Sequence, residues 1–242
     1  MRWLLVLLAA CGGSEQPVPA TDSAPPSDTT VTPDTSEAAG FGTLSGMCGV
    51  LAEADLTSAS PKLIHATMTF ERGYMDPEDR PLLTEGGAIL AATPNAGGSS
   101  GLSEVFAFEQ LARCEAAGFL KTETQIVYDV QGKITDILVE IDGHKIGVSV
   151  TRAVAFPFGS PYDLADANDL MTKKLTDIQA STMNVSDADR WDKQILAVMA
   201  YDDQHAQVVE ESINAMSASI TSDTIVIITS TAGDDSFIYT NN

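Results

Sequence analysis

The sequence predicts an α/β domain with a mixed central sheet, an antiparallel hairpin core and flanking helices. Three observations carry that expectation. Two alternating apolar runs, 135–141 and 144–150, are joined by Asp142-Gly143, a pair that suits a two-residue hairpin turn. Downstream, amphipathic helical stretches alternate with short apolar runs, the pattern of strands joined by crossover helices. Hydrophobic residues make up 44% of the 242-residue chain, enough for one sizeable core.

Taken in order, the chain divides into three parts. Met1-Arg2 followed by the apolar run 3–10 is too short for a membrane span, which needs roughly 20 residues. It fits a short signal peptide over 1–10. Residues 11–40 are rich in Pro, Ser, Thr, Asp and Gly, a composition that cannot bury enough surface to fold and reads as a tether. From residue 41 to 242 the composition is that of one α/β domain. Within it, 45–56 is read as a short helix, 62–70 as a strand and 86–101 as a loop with an apolar insert. A helix is expected from an N-cap at Ser103 to a stop at Gly118, with Val105, Phe108, Leu111 and Ala112 at helical spacing. Strands follow at 124–130, 135–141 and 144–150, then a helix at 163–180, a strand at 193–201, a helix at 204–219 and a strand at 224–230. The run 236–240 closes the chain.

The formal charge of −21 and a pI near 4.2 keep the chain soluble and disfavour nucleic acid and anionic membrane surfaces as partners. Cys11 stands apart from Cys48 and Cys114. In an oxidising compartment the latter two form either one disulfide or two buried thiols, and the sequence leaves both open. His65, His144 and His205 are scattered without metal-ligand spacing. The string Gly97 to Gly101 matches the G-x-S-x-G of a nucleophile elbow, but Pro94-Asn95 breaks any strand feeding it, so an ordinary loop is the better reading.

A two-residue turn at 142–143 places Asp136 opposite Ser149 and Glu140 opposite Lys145. Ile137, Val139, Ile141, Ile146, Val148 and Val150 then share an apolar face, while Asp136, Leu138, Glu140, Lys145, Gly147, Ser149 and Thr151 share the other. Glu140 and Lys145 read as a cross-strand ion pair, and Glu109 as a helical salt pair with Arg113. Lys174 lies at the edge of the apolar stripe of its helix, within reach of the hairpin's polar face, and Lys173 points to solvent.

Two family resemblances follow. Leu8-Ala9-Ala10-Cys11 resembles the lipobox of bacterial lipoproteins, which implies acylation of Cys11, a lipid-anchored contact with membrane and a place in the bacterial cell envelope. Gly12, rather than Asp, follows the cysteine, which by the same resemblance implies the outer membrane. A preceding acidic helix, Asp136 at a strand start and the returning strand resemble the PD-(D/E)XK nuclease superfamily over about residues 102–200. That likeness implies a restriction-endonuclease-like fold in which Asp136 and a second acid hold Mg²⁺ or Mn²⁺ and a lysine acts beside them. Here Ser149 stands at the second acid's place and Thr151 at the lysine's. Replacement groups for an active site would come from Glu104, Glu109, Glu123 or Lys174, with Asp136 and Glu123 the metal candidates. A fainter resemblance links residues 149–153, Ser103-Glu104, Phe108-Glu109, Lys173-Lys174 and 193–196 to uncharacterised proteins. A hard divalent cation wants several oxygens, preferably charged, and a lost charge-stabilising group costs about 10²–10³-fold in rate. The expected function is therefore an envelope lipoprotein with an inactive nuclease-like domain in a binding or structural role, with no cofactor; the alternative is an active metal-dependent phosphodiesterase with a rearranged site.

Overall fold

The computed structural model describes residues 40–94 and 101–240. Cys11, the lipobox, the tether and most of the G-x-S-x-G string lie outside those residues. Seven strands form one mixed sheet: β1 (Thr43–Gly46), β2 (Lys62–Phe70), β3 (Gly118–Thr122), β4 (Ile137–Ile141), β5 (His144–Ala153), β6 (Lys193–Ala200) and β7 (Ile225–Gly233). Their order across the sheet is β1-β2-β7-β6-β5-β4-β3. The central β2, β7, β6 and β5 run parallel to one another, and antiparallel strands close both edges.

The helices are α1 (Glu53–Thr57), α2 (Glu85–Ala92), α3 (Gly101–Glu115), α4 (Leu164–Asn184), α5 (Asp203–Ala215), α6 (Ala218–Thr221) and α7 (Ser236–Tyr239). The order helix–strand–strand–strand–helix–strand runs from α3 to β6. One apolar layer joins α3, through Val105, Phe106, Phe108 and Leu111, to the inward faces of β4, β5 and β6. Ile137, Val139, Ile141, Ile146, Val148 and Val150 all lie in it, so the face assignment read from the alternation is the one found. The opposite layer packs Met171, Leu175 and Ile178 of α4 and Val209 and Ile213 of α5 on Leu196, Val198, Val226 and Ile228. Each fully buried side chain of this size contributes about 1.5–3 kcal/mol of transfer free energy. The four central strands are covered on both sides, which explains their near-continuous apolar runs.

The hairpin has the expected register, with Ile141 opposite His144 and Glu140 opposite Lys145. Asp142 at φ 50° and Gly143 at φ 80° supply the two left-handed residues that this turn demands. The long helix α4 starts at Asp163, whose carboxylate accepts from the amides of Ala165 and Asp166 while Asp166 reaches back to the Asp163 amide.

Several local expectations are corrected. Of the helix expected over 45–56, residues 45–46 end the edge strand β1 and only 53–56 is helical, within α1. Residues 85–92 form α2, not a loop. Its glycines disguised it: a Cβ on Gly86 would meet the Phe108 ring at 2.5 Å, and one on Gly87 would meet Glu109 Oε1 at 2.1 Å. The third strand of the antiparallel set is 118–122, and 124–130 is irregular chain with one bridge from Tyr128 to Val185. Ser103 lies inside α3 rather than capping it; the helix ends at Glu115, and Ala116 at φ 52° takes the left-handed stop assigned to Gly118. The closing run 236–240, to which the sequence assigned no structure, carries the short helix α7 through Tyr239.

Candidate functional site

β5 has 10 residues and its antiparallel partner β4 only 5, so the far half of β5 has β6 on one side and no strand on the other. In the ladder's alternation, Val150 is the next residue of β5 whose N–H and C=O face the vacant side. Asp136, just before β4, donates its own amide to the Val148 carbonyl at 3.2 Å, the last main-chain bond of that ladder. Its carboxylate Oδ2 then accepts from the Val150 amide at 2.6 Å. From α4, Lys174 Nζ donates to the Val150 carbonyl at 2.9 Å. Two charged side chains thus replace the missing strand.

Electrostatics tie this group together. Burial raises the Asp136 pKa above the ordinary carboxylate value; the Val150 amide and the Lys174 ammonium oppose that shift, and the Glu123 carboxylate adds to it. Asp136, Glu123 and Lys174 are therefore brought into one electrostatic neighbourhood. Ser149 and Thr151 are buried on the α4 side of β5, opposite Leu196 and Val198 of β6. Their small size lets α4 close down on the sheet. Glu104 is buried in the first turn of α3. Among the described residues no group of three or more His, Cys, Asp or Glu is placed to hold a metal ion.

The remaining named residues have structural partners. Glu109 is fully buried and accepts from both the amide and the hydroxyl of Thr84, and the Arg113 charge also acts on it. Arg113 donates to the carbonyls of Phe41 and Gly42. Lys145 donates to the Ala188 carbonyl at 2.8 Å instead of pairing with Glu140. Lys173 is exposed and pairs with Asp177. Lys193 is buried and donates to the carbonyls of Ser58 and Ser60. Arg152 reaches the carbonyls of Ile238 and Tyr239.

Cys48 and Cys114 are bonded, with Cα atoms 4.6 Å apart. The neighbouring Glu115 carboxylate accepts from the amides of Gly49, Val50 and Leu51 and fixes the same loop. Sequence reasoning missed that clamp, and it missed Asp189. Asp189 is buried and accepts from Lys121 Nζ at 2.6 Å and from the Val127 amide at 2.7 Å.

Beside the Asp136–Val150–Lys174 group lies a cavity of about 650 Å³ on the open edge of β5. Its walls include Thr151, Arg152, Lys174, Phe156, Phe158 and Tyr239. The signal available in the sequence was Phe156-Pro157-Phe158, an aromatic loop directly after a strand that ends in Arg152 and Ala153.

No family model matches the chain, and no solved structure matches it. The "AAC-rich mRNA clone AAC4 protein" of Dictyostelium discoideum is 39% identical over 153 residues, covering 61% of this chain. The chain spans only 22% of that protein's length.

Proposed function

We propose that the chain is an exported, lipid-anchored envelope protein whose PD-(D/E)XK-like domain serves in binding or as a structural module rather than as a nuclease. The carrying observation is the use made of Asp136 and Lys174, both engaged by the main chain of Val150. A nuclease would need that carboxylate on a metal and that ammonium near the reacting phosphate. The second-acid and lysine positions hold neutral Ser149 and Thr151, which supply neither a charged ligand nor a cation. The Cys48–Cys114 disulfide supports an oxidising compartment, where such bonds persist.

A nuclease assay with Mg²⁺ and with Mn²⁺, on wild type and Asp136→Ala, tests the catalytic half. The expected result is no metal-dependent cleavage by either; cleavage by wild type that is lost in Asp136→Ala overturns it. One observation favours an active, rearranged site: the Glu123 carboxylate acts on Asp136, so two acids and Lys174 share one neighbourhood. Labelled palmitate tests the anchor. Incorporation lost in Cys11→Ala is expected, and incorporation that persists in that variant overturns it.

A further inference from the structure

We propose that the cavity on the open edge of β5 binds a small organic acid: one anionic group on an apolar, planar body. The cavity's size, about 650 Å³, falls where small-molecule sites fall, roughly 300–1,000 Å³. It exists because β4 stops at Ile137 while β5 continues to Ala153, leaving a strand-wide gap beside the sheet.

Two features of the walls set the ligand's chemistry. The chain carries 34 acids and 13 bases, yet the charged side chains among the described residues lining the cavity are Arg152 and Lys174, both cations. Asp136, on which the Lys174 and Glu123 charges act, spends its Oδ2 on the Val150 amide, and neither acid is among the residues lining the cavity. The Lys174 ammonium uses one donor on the Val150 carbonyl, and an ammonium has three. An anionic head is therefore favoured at the Lys174 end. The other wall is aromatic. Phe156 is 79% exposed, a poor place for a phenyl ring unless something covers it. It meets Phe158 edge-on at 5.5 Å, and Phe158 stacks on Tyr201 at 5.6 Å, so the rim is a held aromatic surface suited to a flat apolar body. The inference goes beyond the proposed function and rests on the cavity's walls alone, whether or not this edge of the sheet also cleaves.

The test uses 8-anilino-1-naphthalenesulfonate, an anionic planar probe, and its uncharged relative N-phenyl-1-naphthylamine, with EDTA present and no nucleic acid. Saturable binding of one equivalent of the sulfonate is expected. Lys174→Gln keeps a donor for the Val150 carbonyl and removes the charge; it weakens the sulfonate about tenfold and leaves the neutral probe unchanged. Phe156→Ala changes an exposed side chain without disturbing the core and weakens both probes several-fold. Sulfonate binding that is unsaturable, or equally tight in Phe156→Ala and in a folded Lys174→Gln, overturns the inference. Because metal is chelated, a positive nuclease assay would sink the non-catalytic reading while leaving this result standing, and the reverse also holds.

Discussion

Asp136 and Lys174 divide between them the two main-chain groups of Val150, one accepting from its amide and the other donating to its carbonyl. They act as a one-residue substitute for a strand. A buried amide left without a partner costs about 1–3 kcal/mol.

Asp136→Ala is therefore expected to lower stability by about 1–3 kcal/mol, read as a shift in the urea midpoint. Asp136→Asn keeps a carbonyl oxygen for the Val150 amide and is expected to recover most of the loss. Equal destabilisation by Ala and Asn would show that the negative charge, not the acceptor, is what matters.

Residues 48 and 114 enclose a long loop, with a sequence separation of 66. On the chain-entropy account, removing the bond by paired Cys48→Ala and Cys114→Ala costs about 4 kcal/mol. Glu115→Gln, which weakens three charge-assisted bonds to one loop, is expected to cost less. Thermal melts of the three proteins would check that order.

Burial raises the pKa of Glu109, and the Thr84 bonds and Arg113 only partly oppose it. An acid whose folded pKa is raised lends stability below its unfolded pKa and loses it as pH rises through the folded value. Wild type should thus gain less than Glu109→Gln on going from pH 4 to pH 8. A parallel pair of stability–pH curves would contradict the assignment.

Asp189 behaves in the opposite sense. Its burial raises the pKa, but bonds from Lys121 and the Val127 amide outweigh that and hold the carboxyl below its usual range. Its contribution is present above the unfolded pKa and is lost as pH falls through the folded one. Asp189→Asn is expected to cost about 2 kcal/mol at pH 7 and less at pH 3, by urea denaturation at both.

The hairpin was legible because Asp142-Gly143 fixes the register and a one-residue slip would turn every apolar side chain to the wrong face. The helix α4 was legible from Met171, Leu175 and Ile178 in one stripe. By contrast, α2 was hidden because Gly86 and Gly87 answer to close packing by Phe108 and Glu109, a constraint invisible in local propensity. The run 124–130 mimics a strand because Ile126 and Tyr128 pack inward, yet Asp189 and Val185 hold that chain rather than a ladder. At the site, the placement of Asp136 opposite β5 and of Lys174 near it followed from periodicity. Their shared target did not, since it depends on where β4 ends.

The Cys48–Cys114 bond has a mechanical consequence. A pull along the chain arriving at residue 40 works first against the buried Phe41 ring and the Arg113 bonds to the Phe41 and Gly42 carbonyls, then against β1, an edge strand of 4 residues that can peel from β2 one pair at a time. Peeling must halt at Cys48, where the load passes through sulfur into α3 and the centre of the core. The disulfide thus limits the chain released under load to a few residues, and beyond that the whole core must give way together.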